Sequence, residues 1–387
     1  MKTLKQLSTM VLMLLTASSA QAKYKTEYIS EQLSVKLPVS QLTSLRNDNE
    51  IVIPASYHPL GDELVAVLNL PQGASAENPV PVCAIIHGSG GLFKEEAPGD
   101  SCSDELENTY QDLSDQLFAQ GIATILPSSF YSRDERFCED NDSDYIVYGA
   151  PPFFNPGDTV ARNTSYKIRR VAVRTMDMLA TMSFVCDLDE VDCNNSCMVG
   201  TSNGGTSIMA YNAQSLPTDL LEFLDDAKRE FEYNSTRAKR NTAFANFPDL
   251  AISVEQLQQD LADRPLPEFA QLVSPGCSMR DLVQHIDPYD EEDPFSLTQL
   301  YYPAGDTSLH FEIGTNDGVP DECYIEAGPS EGDREIQARY FEQQMNISLQ
   351  DSQYNVHIHQ GGGHSLLRDD DYSGEILQRL DDLVSNW

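Results

Sequence analysis

The stretch that decides the reading is Ser196-Cys197-Met198-Val199-Gly200-Thr201-Ser202-Asn203-Gly204-Gly205-Thr206-Ser207-Ile208-Met209-Ala210-Tyr211. A short apolar run of strand character leads into a Gly-x-Ser-x-Gly pattern, and a helix-compatible run leads out of it. A strand-to-helix turn of this kind is so tight that only glycine is tolerated two residues either side of the serine, here Gly200 and Gly204. The turn presents a hydroxyl above the end of the sheet, which makes Ser202 the candidate nucleophile. The bland alternative is an ordinary Gly-rich turn, so the remaining chain has to supply a base, an acid and an oxyanion site.

Residues 84–91 read Ala-Ile-Ile-His-Gly-Ser-Gly-Gly, an apolar strand ending in a loop whose backbone can approach an oxyanion. The backbone N–H of Ser89 and that of Asn203, the residue after the nucleophile, are the candidate donors. Ser89 is not a rival nucleophile, because its glycines are adjacent to it and the elbow spacing is missing. His87 is expected to bond this loop rather than move protons.

A serine hydroxyl is a poor nucleophile until a base takes its proton, and the base needs a carboxylate to hold its tautomer. After the strand-like run 309–313 comes Gly314-Thr315-Asn316-Asp317-Gly318-Val319-Pro320, an acid in a turn at a strand's C-terminal end. Open α/β sheets gather their sites there, so Asp317 is the candidate acid. The run 354–359 is followed by Gln360-Gly361-Gly362-Gly363-His364-Ser365, which places His364 in a loop as the candidate base. Ser202, Asp317 and His364 stand 115 and 47 residues apart, in the chain order of α/β-hydrolases. His359 is the rival base, and Asp306 and Asp321 are the rival acids.

Strand-like runs at 63–70, 80–87, 122–126, 196–199, 268–273, 309–313 and 354–359 alternate with amphipathic segments such as 109–120, 167–184 and 334–344. That alternation predicts an α/β protein, a mainly parallel sheet covered by helices on both faces. Residues 216–267 break it with a polar stretch in which Leu220, Leu224, Ala227 and Phe231 fall at helical spacing. This is read as a helical insertion, either a lid over the site or a surface excursion.

The chain has 387 residues, with 61 Asp and Glu against 25 Lys and Arg and a formal net charge of -36. Such a molecule repels phosphate backbones and anionic lipid surfaces, which excludes nucleic acid as a partner. Residues 1–22 read as a secretory signal peptide: Lys2 and Lys5, an apolar run from Met10 to Ala17, and Ala20-Gln21-Ala22 before the cut. Position 23 is Lys rather than Cys, against a lipid anchor, and no later run predicts a membrane span. A secreted or periplasmic α/β domain over 23–387 is therefore expected.

Eight cysteines in an exported chain favour disulfides over metal, and their spacings form no paired zinc pattern. Two or three bridges are expected, with Cys102 and Cys138, Cys186 and Cys193, and Cys277 and Cys323 as candidate pairs. Cys83 and Cys197, inside strand-like runs, are expected to be small buried hydrophobes. Asp140, Asp142 and Asp144 imitate a calcium loop, but Tyr145 and Pro151 stand where glycine and glutamate are needed. Asp187, Asp189, Glu190 and Asp192 are read as a solvated loop.

Several segments together resemble dienelactone-hydrolase-like α/β-hydrolases: His87-Gly88-Ser89-Gly90-Gly91-Leu92, Ser129-Phe130 with Arg133 and Cys138, Val191-Asp192, Ser274-Pro275-Gly276-Cys277, Asp317 with Val319-Pro320 and Cys323, and the loop of His364. The resemblance spans roughly residues 60–380. It implies the α/β-hydrolase fold, hydrolysis of esters or lactones, and a nucleophile, acid and histidine at Ser202, Asp317 and His364; the serine chemistry read from these residues requires no cofactor. It also supports the pairing of Cys277 with Cys323. Two departures stand out: dienelactone hydrolase proper has cysteine at the position of Ser202, and the 216–267 insertion is long. The alternatives on the same scaffold are a peptidase or polyester depolymerase, and from another class a non-catalytic binding module.

Overall fold

The computed structural model describes residues 50–54, 63–95, 102–129, 174–213, 216, 259–275, 304–317, 354–385 and 387. Among the described residues the strands are β1 (Glu50–Pro54), β2 (Glu63–Asn69), β3 (Val80–Ile86), β4 (Phe93–Glu95), β5 (Cys102–Leu106), β6 (Ala123–Pro127), β7 (Val191–Thr201), β8 (Phe269–Val273), β9 (Ser308–Gly314) and β10 (Tyr354–His359), of which β1, β4 and β5 fall outside the predicted runs. β4 and β5 pair as a separate ribbon, while the other eight form one sheet in the order β1-β2-β6-β3-β7-β8-β9-β10. β2 runs antiparallel to both neighbours, and every pair from β6 through β10 is parallel. This strand order, with the serine turn following β7, is the α/β-hydrolase fold.

Parallel strands need crossovers, and the crossovers bury both faces of the sheet. Helices among the described residues include α1 (Asn108–Ala119), α2 (174–186), α3 (Asn203–Asn212) and α4 (Asp370–Val384). Because side chains alternate along a strand, β3 feeds both layers. Val82, Ala84 and Ile86 pack with Met176, Met182 and Ile208 on one face. Cys83 and Ile85 pack with Leu113, Leu117, Leu380 and Val384 on the other. Ile376, Leu380 and Val384 repeat every four residues, which gives α4 a single buried stripe. Its N-cap Asp369 accepts from the Asp371 N–H at 3.1 Å.

Strand β7 starts earlier than its apolar run. Val191 pairs with Val80 and Asp192 with Pro81, but Ser196 is next to pair, with Val82, so Cys193, Asn194 and Asn195 bulge out. Asp192 holds the bulge, accepting from the Asn194 N–H and from the amides of Asn194 and Asn195. This part of the acidic cluster is turn chemistry, and no metal-binding group occurs among the described residues.

The expected bridge Cys186–Cys193 is present, joining the end of α2 to the bulge. The expectation that Cys83 and Cys197 stay as thiols is overturned, because they form a disulfide. They are register partners on the neighbouring parallel strands β3 and β7, with Cα atoms 4.4 Å apart. A pairing across 114 residues of sequence depends on which strands become neighbours, and the two apolar runs carry no trace of that. Cys138, Cys277 and Cys323 lie outside the described residues, as do the 334–344 segment and most of the insertion. Residues 259–267, where the insertion ends, rejoin the core: buried Arg264 donates to the carbonyls of Tyr211, Leu261 and Ala213.

Two predictions follow from this packing. Replacing Cys83 and Cys197 together by alanine removes a cross-link closing a long loop, and equilibrium unfolding in denaturant should show a loss of about 2–4 kcal/mol. An unchanged midpoint would mean that the bridge adds nothing to stability. The second concerns His310, which packs edge-on to Phe269, a ring that also meets Trp387 beyond the end of α4. Burial, reinforced by nearby His357, pushes its imidazole down to about 4, Glu312 opposing only in part. The folded state thus keeps His310 neutral where the unfolded chain would bind a proton. Stability is complete above pH 6.5 and drains away as pH falls toward about 4, a loss on the order of 3 kcal/mol. Thermal unfolding from pH 7.5 down to 4.5 should show a flatter pH dependence for His310→Gln than for the unsubstituted protein.

Candidate active site

The elbow is built as its glycines require. Ser202, between β7 and α3, has φ 50° and ψ -122°, a conformation that costs an L-residue energy and persists only where its surroundings enforce it. The Ser202 N–H donates to the Val273 carbonyl of β8 at 2.9 Å, and Thr206 N–H donates back to the Ser202 carbonyl at 3.1 Å. A Cβ on Gly200 would come within 2.6 Å of Ile208 Cδ1. One on Gly204 would run into the Ile86 carbonyl oxygen and approach that of His87 to 2.7 Å. The helix therefore enters against the end of β3 with no room for a side chain.

The structure brings the three predicted side chains together at the C-terminal edge of the sheet. His364 Nε2 lies 2.8 Å from Ser202 Oγ, and His364 Nδ1 lies 3.0 and 3.1 Å from the two oxygens of Asp317. A carboxylate only accepts, so the Nδ1 proton points at Asp317 and leaves Nε2 as the acceptor toward the Ser202 hydroxyl. Asp317 is buried, while the His364 side chain is 35% exposed. Their loops are laced together: Thr315 N–H donates to the His359 carbonyl, Asn316 N–H to that of Gly362, and Gly361 N–H to Thr315 Oγ1.

The rival residues are placed elsewhere. His359 is buried with Nε2 2.8 Å from Glu312 Oε2, and Arg379 clasps both oxygens of that carboxylate at 2.8 and 2.7 Å. Burial alone would raise the Glu312 carboxyl, but hydrogen bonds from His359, Arg379 and Gln271 hold it below the usual carboxylate range. This network ties β8, β9, β10 and α4 beneath the loops of Asp317 and His364. Asp306 is exposed in the turn before β9, at the far end of the sheet, and Asp321 lies outside the described residues.

The predicted oxyanion loop lies against the elbow. A Cβ on Gly88 would sit 3.3 Å from Ser202 Cβ. Asn203 opens α3, so its N–H has no intrahelical acceptor. His87 is fully buried; its Nε2 accepts from the Ser129 N–H at 3.1 Å, which puts the proton on Nδ1 for donation to the Gly88 carbonyl at 2.8 Å. Both ring nitrogens are spent on backbone, the structural role expected of it. Arg174 donates to the His87 carbonyl from the other side.

Sequence reasoning missed Tyr110. Its hydroxyl accepts from the Gly88 N–H at 2.7 Å and lies 2.9 Å from Thr201 Oγ1, stitching the 88–91 loop to the end of β7. In the sequence Tyr110 is indistinguishable from the apolar stripe of α1, so no signal could have singled it out. Gly88, Ser89, Tyr110, Thr201, Ser202, Val273, His364 and Arg368 line a cleft of about 190 Å³. The geometry on its wall suits proton relay from a serine to an imidazole, beside backbone donors for developing negative charge.

No protein-family model and no curated protein sequence matches the chain. Among solved structures it is similar to the apo form of esterase 2 of Thermogutta terrifontis, at 13% identity and a TM-score of 0.47, covering 87% of this chain and 94% of that one. A dienelactone hydrolase-like promiscuous phosphotriesterase from metagenomic libraries follows at 10% identity and a TM-score of 0.43, covering 87% and 97%. Est1E of Butyrivibrio proteoclasticus, solved with ferulic acid bound, stands at 12% and 0.42, covering 85% and 97%. The fold assignment rests on the strand order and the elbow themselves.

The close approach at Gly204 yields a test. Gly204→Ala should lower stability by at least about 1–3 kcal/mol, because backbone rather than a flexible side chain has to move. Gly374→Ala in α4, where an added Cβ meets nothing within 4 Å, should instead raise it by up to about 1 kcal/mol. Parallel thermal unfolding of the two variants checks the contrast.

Proposed function

We propose that the protein is a serine hydrolase that cleaves carboxylic esters or lactones through an acyl-enzyme. The observation that carries this reading is the unbroken pair of hydrogen bonds from Ser202 Oγ through His364 to Asp317, opening on the cleft. Ser202 Oγ attacks the ester carbonyl carbon as its proton passes to His364 Nε2, and Asp317 steadies the imidazolium. The amides of Ser89 and Asn203 face the oxyanion. The carbon–oxygen bond to the alcohol then breaks, and the proton on Nε2 goes to the departing alkoxide. Water repeats the cycle on the acyl-enzyme, giving its proton to His364 and its oxygen to the acid product, and Ser202 recovers its hydrogen. Side chains and water handle every proton and bond, so the scheme calls for no cofactor.

Export is part of the same proposal. It rests on the leader at 1–22 and on the Cys83–Cys197 and Cys186–Cys193 bridges, which persist in oxidising compartments. Among the described residues no helix is long and apolar enough to cross a membrane.

Intact mass after treatment with a fluorophosphonate should show one adduct on the unsubstituted protein and none on Ser202→Ala. Turnover of a p-nitrophenyl ester should fall at least about 10³-fold in Ser202→Ala and His364→Ala. A folded protein that gains no adduct and turns over no ester would overturn the reading in favour of a binding module.

A further inference from the structure

The scheme above uses Ser89 only through its backbone, yet Ser89 lines the same cleft as Ser202 and His364. Ser89 Oγ accepts a hydrogen bond from Asn203 Nδ2. The two residues whose amides face the oxyanion are thus also joined side chain to side chain. An oxygen that accepts keeps its own proton to give, and among the described residues no acceptor for the Ser89 proton occurs. The loop runs within van der Waals range of the nucleophile, since a Cβ on Gly88 would sit 3.3 Å from Ser202 Cβ. In staggered rotamers a serine Oγ lies within about 3–4 Å of its own amide nitrogen, so an oxyanion bound by the Ser89 N–H is within reach of the Ser89 hydroxyl.

We propose that the Ser89 side-chain hydroxyl is a third donor to the oxyanion, aimed into the cleft by the Asn203 amide. The inference rests on the Ser202 acyl-enzyme reading. Asn203 is then a positioning residue: by occupying a lone pair of Ser89 Oγ it turns the O–H away from itself and toward the charge that develops on the substrate. A donor held in place before reaction costs no reorganisation when that charge appears. The proton stays on Ser89 throughout, so no bond is made or broken at this residue.

The test compares Ser89→Ala, Ser89→Thr and Asn203→Ala with the unsubstituted enzyme, using p-nitrophenyl butyrate as substrate and a trifluoromethyl ketone whose adduct on Ser202 carries an oxyanion. Fluorophosphonate labelling of the unsubstituted enzyme comes first, and failure there overturns the nucleophile reading and this proposal together. With labelling intact, Ser89→Ala should lower kcat about 10²-fold with KM within about twofold. Its trifluoromethyl ketone inhibition constant should rise by the same factor as kcat/KM falls. Ser89→Thr, which keeps a hydroxyl, should restore most of the rate, and Asn203→Ala should cost less than Ser89→Ala. Two results would overturn the proposal while leaving the triad standing. One is an unchanged kcat in Ser89→Ala. The other is an equal loss in Ser89→Ala and Asn203→Ala without rescue by threonine, which is what a clamp between the two loops would produce.

Discussion

The candidate site depends on one backbone-to-backbone contact, the first turn of α3 against the end of β3. Gly204 meets the carbonyl of Ile86 with no space for a methyl group, and that proximity lets Ser202 occupy φ 50° between β7 and the helix. The strain of such a residue, about 1–3 kcal/mol, has to be held by its surroundings. Here they are rigid: β3 and β7 pair in parallel register and are cross-linked by Cys83–Cys197 directly beneath. The same contact brings the Gly88–Ser89 loop against Ser202, so the elbow and the 88–91 loop are positioned by one piece of packing.

Hydrogen bonds refine what that packing begins. Tyr110 binds the Gly88 amide and Thr201, His87 binds its own loop and Ser129, and Asn203 reaches Ser89. On the other side of the cleft, the Asp317 and His364 loops exchange backbone hydrogen bonds above a buried set of Glu312, His359, Arg379 and Gln271. Buried charge of this kind is costly unless every member is paired. Arg379 meets both Glu312 oxygens, and Gln271 and His359 supply further donors, so the carboxylate remains ionised inside the sheet–helix layer. The charge is spent on holding three strands and α4 at the place where two loops must face each other.

Much of this was legible in the chain. The strands at 80–87 and 354–359, the elbow glycines, and Asp317 and His364 as loop residues all came from local pattern, because turn geometry and side-chain alternation are written over a few neighbouring residues. β1, the β4–β5 ribbon and α4 were not anticipated. β1 and the ribbon are short, and nothing local separates them from loop. α4 carries its stripe at Ile376, Leu380 and Val384, which periodicity could have found. Asp192 illustrates a middle case: as one of a run of acids it looked solvated, and in the structure it caps a bulge that pairing with β3 creates.

By itself the sequence determined the chemistry on offer: a serine that only a tight turn can present, an acid after one strand and a histidine after the next. Tertiary structure alone decided which of these groups meet. Local pattern puts His364 in a loop and His359 on a strand, but it does not say which side chain meets Ser202, and nothing local distinguishes Cys83 as thiol from Cys83 as half of a bridge. The difference lies in which strands become neighbours and in what register, over separations of 47, 114 and 162 residues. Those neighbours are chosen by burial of the whole sheet between two helical layers, a free energy summed over the chain that no short stretch of sequence contains.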